Sequence, residues 1–129
     1  WKPYLDDARR TLKNAPAFQR EEERSFSELF TEQTAEQLLV YFVFTYFCGA
    51  VYNANAYGKM KFSFAGMILI RELVRAEWLR NPDITRETLL RTACRYAREV
   101  EHSDKNKFLM EELLDDEDLF GLEKLFSIL

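Results

Sequence analysis

The sequence predicts an all-α fold, a helical bundle with a long central apolar helix. Three observations carry this. Only 4 Gly and 3 Pro occur among 129 residues, too few for a loop-rich or all-β chain. Apolar residues recur at i, i+3 and i+4 through most of the chain, the spacing of one helix face. An apolar run from Leu38 to Tyr52 comes directly after a helix-start pattern. The length suits one domain, residues 1–129.

Residues 4–13 carry Tyr4, Leu5, Ala8 and Leu12 at helical spacing, and Asn14-Ala15-Pro16 punctuates them. Pro16 is suited to the first position of a second short helix, in which Phe26, Leu29 and Phe30 form one apolar turn. The charged stretch Arg20 to Arg24 reads as a solvated face. Thr34-Ala35-Glu36-Gln37 has the form of a capping box. The run behind it, 38–52, would extend about 22 Å as a helix, short of a bilayer core. A helix apolar all round is expected at the centre of a bundle. Asn53, Asn55 and Gly58 end it. The next helix is predicted from Tyr57 to Arg80, with Gly66 inside it permitting a close helix crossing.

Asn81-Pro82-Asp83 stops that helix, and Thr85 caps another with Glu87 near its positive end. Leu89, Ala93, Tyr96, Ala97 and Val100 give its buried face, and it ends near His102. Ser103 or Asp104 can cap the piece carrying Phe108, Leu109, Leu113 and Leu114. Acidic 115–118 is a hinge or an N-terminal charge cluster, and 119–129 a last short helix or a fraying tail.

Composition narrows the function. With 47% hydrophobic and 31% charged residues the chain reads as globular, without an unbroken apolar stretch of membrane-spanning length. A net charge of −4 argues against a general nucleic-acid binder. Cys48 and Cys94 form no disulfide framework and are expected as small buried residues. Two separated thiols fit a reducing compartment, the cytoplasm. The chain begins at Trp1 without a signal-peptide pattern, and it is read as a cut from a longer protein.

Phosphate-binding glycine loops are absent from the sequence. His102 stands beside Ser103 and Asp104, but adjacency in sequence rarely gives triad geometry. Glu99 and His102 are i and i+3 on one helix face, the spacing used in two-metal bundles. One His cannot supply two such motifs, and a mononuclear site with Glu72 is the remaining metal arrangement. A plain helix C-terminus explains the segment better, so no metal is assigned. Arg71, Glu72 and Arg75 interrupt an apolar helix and need partners if buried. Glu99 and Glu101 are the expected partners, in a polar cluster that is structural or lines a pocket. Arg91, Arg95 and Arg98 form a basic stripe, read as a solvated face or a surface for an acidic partner. The aromatics Tyr41, Phe42, Phe44, Tyr46, Phe47 and Tyr52 are expected in the core.

Three stretches resemble the bacterial flagellin lysine-N-methylases. Ala35 to Phe44 resembles that family's "ENyLvyyif" helix, with Glu36 matching and Gln37 standing where Asn is usual. Gly58 to Phe62 and Leu69 to Leu73 resemble its next helix. Arg98-Glu99-Val100-Glu101-His102-Ser103-Asp104-Lys105-Asn106 resembles its "REiEHSDeN" segment, the most specific of the three. The resemblance covers roughly residues 35–112.

This resemblance implies methylation of lysine side chains on flagellin, with S-adenosylmethionine as donor. It also implies a C-x-x-C-like cysteine cluster, holding iron–sulfur or another metal, in the N-terminal part of the whole protein. Cys48 and Cys94 do not match that cluster. The chain would then be the helical C-terminal region, inactive alone and without a cofactor of its own. Its partners would be the rest of its own polypeptide and flagellin, with no nucleic acid or membrane. Arg71, Glu72, Glu99, Glu101, His102 and Asp104 are the candidate functional cluster, shaping the seam toward the rest of the enzyme; no catalytic residue is assigned. The alternative is a non-enzymatic interaction or ligand-binding domain of a bacterial regulator.

Overall fold

The structure, a computed structural model, describes residues 1–16, 19–116 and 120–128. Among the described residues it is all helix: α1 (Lys2–Asn14), α2 (Arg20–Leu29), α3 (Glu32–Asn53), α4 (Ala56–Arg80), α5 (Arg86–Tyr96), α6 (Asp104–Leu114) and α7 (Leu122–Ile128). A π-helical turn, Ala97–Glu101, continues α5. No helix among the described residues is long and apolar enough to cross a membrane.

The helix ends reflect local chemistry. At the start of α2, Gln19 and Glu22 form a reciprocal capping box. The box expected at Thr34 does not start a helix. Thr31 does so three residues earlier, its hydroxyl accepting from the Thr34 N–H at 3.1 Å. Asn55 caps α4 by accepting from the Gly58 N–H at 3.0 Å. Between α3 and α4, Ala54 takes φ 54°, the left-handed conformation that reverses the chain. Thr85 stands at the N-cap of α5 without a side-chain cap bond, and Ser103 caps α6 by accepting from the Asn106 N–H at 3.4 Å. The second helix begins at Arg20 rather than at Pro16. The acidic stretch 115–118 lies partly outside the described residues, and of 119–129 the structure places α7.

The centre of the bundle is α4, not the apolar run 38–52. α4 packs against α1, α3, α5, α6 and α7. Phe62, Met67, Ile70, Val74 and Trp78 are all buried along it. It even buries two polar residues. The Ser63 hydroxyl donates to the Lys59 carbonyl at 2.9 Å, and the Lys61 ammonium lies 5.2 Å from the centre of the Tyr57 ring. α3 covers one flank of α4 with Phe42 and Tyr46, while Val40 (60% exposed) and Phe44 (76%) face outward. A helix apolar on every side carries no pattern that selects its buried face; the neighbours select it.

Two clusters make the core. In the larger, Phe26 of α2 meets Trp78 of α4 with ring centres 5.8 Å apart. Within it Phe42, Tyr46, Phe62 and Tyr96 join α3, α4 and α5 through edge-on and stacked rings 4.8–5.9 Å apart. In the smaller, Ala8 of α1 sits on Leu73 and Ala76 of α4. Asp7 and Arg80 close that contact with an ion pair at 2.6 Å. Gly66 is buried under the Tyr96 ring; an added Cβ would lie 2.8 Å from its hydroxyl. The close crossing expected at Gly66 is formed.

Candidate functional site

The segment Arg98 to Asn106 forms the bend between α5 and α6. Inside it the hydrogen-bond ladder widens to i→i+5: the His102 N–H donates to the Ala97 carbonyl at 3.1 Å. One extra residue in a turn rotates the downstream side chains by about 100°. The Glu99 carbonyl, left without a helical partner, accepts from the Asn106 side-chain amide at 2.8 Å. Both ends of Asn106 therefore hold the bend, its main-chain N–H on Ser103 and its side chain on Glu99.

The bend carries Glu101 toward α3. Its Oε2 accepts from the Tyr41 hydroxyl at 3.1 Å. Its Oε1 and the Tyr46 hydroxyl are both buried, with no hydrogen-bond partner among the described residues. Burial pushes the Tyr46 and Tyr96 hydroxyls well above the usual tyrosine range, and the nearby Glu101 carboxylate pushes them further. Tyr46 also feels Tyr96, and the Lys107 ammonium lies 5.5 Å from the centre of its ring.

The six candidate residues do not come together. The Arg71 guanidinium donates to the Ile128 carbonyl at 2.9 Å, tying α4 to α7. Glu72 pairs with Arg75 one turn along its own helix, at 3.4 Å. Glu99 meets Arg98 at 3.9 Å, and His102 and Asp104 are exposed. The expected pairing of Arg71 or Arg75 with Glu99 or Glu101 is absent among the described residues. The π-turn is the reason, because it aims Glu101 at α3 rather than at α4.

Other expectations are also corrected. Cys48 and Cys94 are exposed, not buried. Of the six aromatics expected in the core, Phe42 and Tyr46 are buried, whereas Tyr41, Phe44, Phe47 and Tyr52 are exposed. The Arg stripe is broken, since the Arg95 guanidinium stacks 3.9 Å over the Tyr4 ring while Arg91 and Arg98 stay exposed. Among the described residues no three His, Cys, Asp or Glu side chains are placed to share a metal ion, Glu72, Glu99 and His102 included. An iron–sulfur cluster is held by several thiolates. Two exposed thiols on separate helices, α3 and α5, do not fit one.

Two concave surfaces went unread in the sequence. A cavity of about 570 Å³ opens between α1, α4, the π-turn, α6 and α7. Among the described residues its lining is apolar apart from Glu72 and Asn106. A groove of about 520 Å³ runs along the outer face of α3, lined by Leu39, Val40, Val43, Phe44, Phe47 and Cys48. Neither has a contiguous sequence signature, because the walls of the first come from five separate segments. The second is hidden in the all-round apolarity of α3.

A family model described as the FliB lysine N-methylase C-terminal domain matches residues 1–128 of the chain. No curated protein and no solved structure matches it.

Proposed function

The chain belongs to the FliB lysine N-methylase C-terminal domain family, and from that premise we propose that it docks onto the remainder of a methylase through the outer face of α3. The methylase transfers methyl groups from S-adenosylmethionine to lysine side chains of flagellin in the cytoplasm. The domain is inactive alone. The methyl donor and any iron–sulfur or other metal centre are held by the remainder of the enzyme. The observation that carries the assignment is the extent of the family match, which takes in nearly the whole chain rather than one segment.

The exposed row of Val40, Phe44 and Phe47 supports the docking face. Monomeric proteins seldom leave such a contiguous apolar patch in water. The test is the Phe44→Glu variant of the complete methylase. Phe44 is 76% exposed, so the change leaves the fold intact. An aromatic anchor at an interface is worth about 2 kcal/mol or more, roughly thirtyfold in affinity. Methylation of flagellin and co-purification of this domain with a separately expressed remainder should both fall. Unchanged methylation and co-purification would reject the docking face. A rival reading, in which a second copy covers α3 in a non-enzymatic interaction domain, draws on the same exposed row. It requires a concentration-dependent dimer of this chain that Phe44→Glu abolishes.

A further inference from the structure

We infer that the cavity between α1, α4, α6 and α7 receives a lysine side chain of the substrate protein, with Glu72 as its counter-ion. This rests on the methylase assignment above, but on a different surface from α3. At about 570 Å³ the cavity has the size of ordinary ligand sites, with room for a side chain and apolar neighbours in the substrate.

The lining selects the occupant. Ile68, Leu69, Met110, Leu113 and Leu125 offer only apolar surface, and among the described lining residues Glu72 carries the one ionisable side chain. An anionic ligand would be repelled by Glu72, and a wholly apolar one would leave its Oε1 without a hydrogen bond among the described residues. Lysine has the complementary form, an apolar stem ending in a cation. Glu72 has capacity for it. One oxygen, Oε2, is engaged by Arg75 at a long 3.4 Å, and Oε1 accepts no hydrogen bond among the described residues. Trp1 adds an aromatic wall, a surface that attracts ammonium and methylammonium groups. The α3 groove lacks these features, since none of its described lining side chains carries a charge.

The test titrates the whole chain with acetyl-Leu-Lys-Leu-amide and with the same peptide carrying norleucine for lysine. Binding is read by isothermal titration calorimetry. The lysine peptide should bind about tenfold more tightly, the ratio set by one charge-assisted hydrogen bond. Glu72→Gln should bring the two peptides within about twofold of each other. Leu113→Trp, which narrows the cavity, should weaken binding of both. Circular dichroism of each variant reports its folding. Equal binding of the two peptides, selectivity that survives Glu72→Gln, or no binding of the lysine peptide would overturn the inference. Phe44→Glu should leave peptide binding untouched, so failure of the docking face and failure of this site give different results.

Discussion

The side-chain amide of Asn106 donates to the main-chain carbonyl of Glu99 at 2.8 Å, across the bend that joins α5 to α6. Through this bond the most specific of the family-like segments acts on architecture. The π-turn frees a carbonyl, Asn106 satisfies it, and Glu101 is thereby turned onto α3. Arg98, His102, Asp104 and Lys105 of this segment remain exposed.

Replacing Asn106 with Ala should destabilise the fold by about 1–2 kcal/mol, the cost of a partly buried carbonyl left without its donor. Urea denaturation measures it. Asn106→Asp should be at least as costly, because a carboxylate cannot donate to that carbonyl. Wild-type midpoints in both variants would mean that the bend does not depend on this bond.

Gly66→Ala should destabilise rather than stabilise the α4 helix. In an exposed helix the same change gains roughly 1 kcal/mol. Here the new Cβ would lie 2.8 Å from the Tyr96 hydroxyl and 3.3 Å from the Phe42 ring, and overpacking of a buried site costs about 1–3 kcal/mol. Removing the obstructing oxygen in a Gly66→Ala, Tyr96→Phe double variant should recover most of the loss. A thermal melt of the two variants beside the wild type decides it, and a raised midpoint for Gly66→Ala alone would contradict the close crossing.

Stability should fall steeply above pH 10. Burial raises the titration of Tyr46 and Tyr96 in the folded chain, whereas an unfolded tyrosine titrates near about 10. Above that value the unfolded chain has released protons that the folded chain still holds, so stability declines with rising pH. The contribution is complete below pH 10 and is lost as the pH climbs toward the raised folded values. Each group adds a slope of about 1.4 kcal/mol per pH unit. Tyr46→Phe should remove one such slope, and near neutral pH it should be neutral or stabilising because it deletes a buried hydroxyl that has no hydrogen-bond partner among the described residues. Urea midpoints between pH 8 and 11 test both statements; a flat profile for the wild type would refute them.

Much of the helix order was legible in the residues themselves. Asn81-Pro82-Asp83 stops α4, Ser103 caps α6, and the 3.6-residue spacing marks α1 and α5. These are short-range effects, settled by backbone geometry and by hydrogen bonds within a turn or two. The cap of α3 was misplaced because Thr31 and Thr34 both have capping chemistry. The candidate site was less legible. Glu72 does line a cavity, but Glu99 and Glu101 do not reach Arg71 or Arg75, and nothing in the spacing of Glu101 announced the tyrosines of α3.

The sequence by itself determined that this chain is helical, where most of its helices break, and, through its resemblance, the family to which it belongs. Only the tertiary structure decided that α4 and not α3 is central, that both thiols are exposed, and that five segments enclose an apolar cavity beside Glu72. The reason is physical. Turn and cap energies depend on residues a few positions apart, whereas the buried side of an all-apolar helix, and the reach of a carboxylate beyond an inserted residue, depend on what the rest of the chain brings against them.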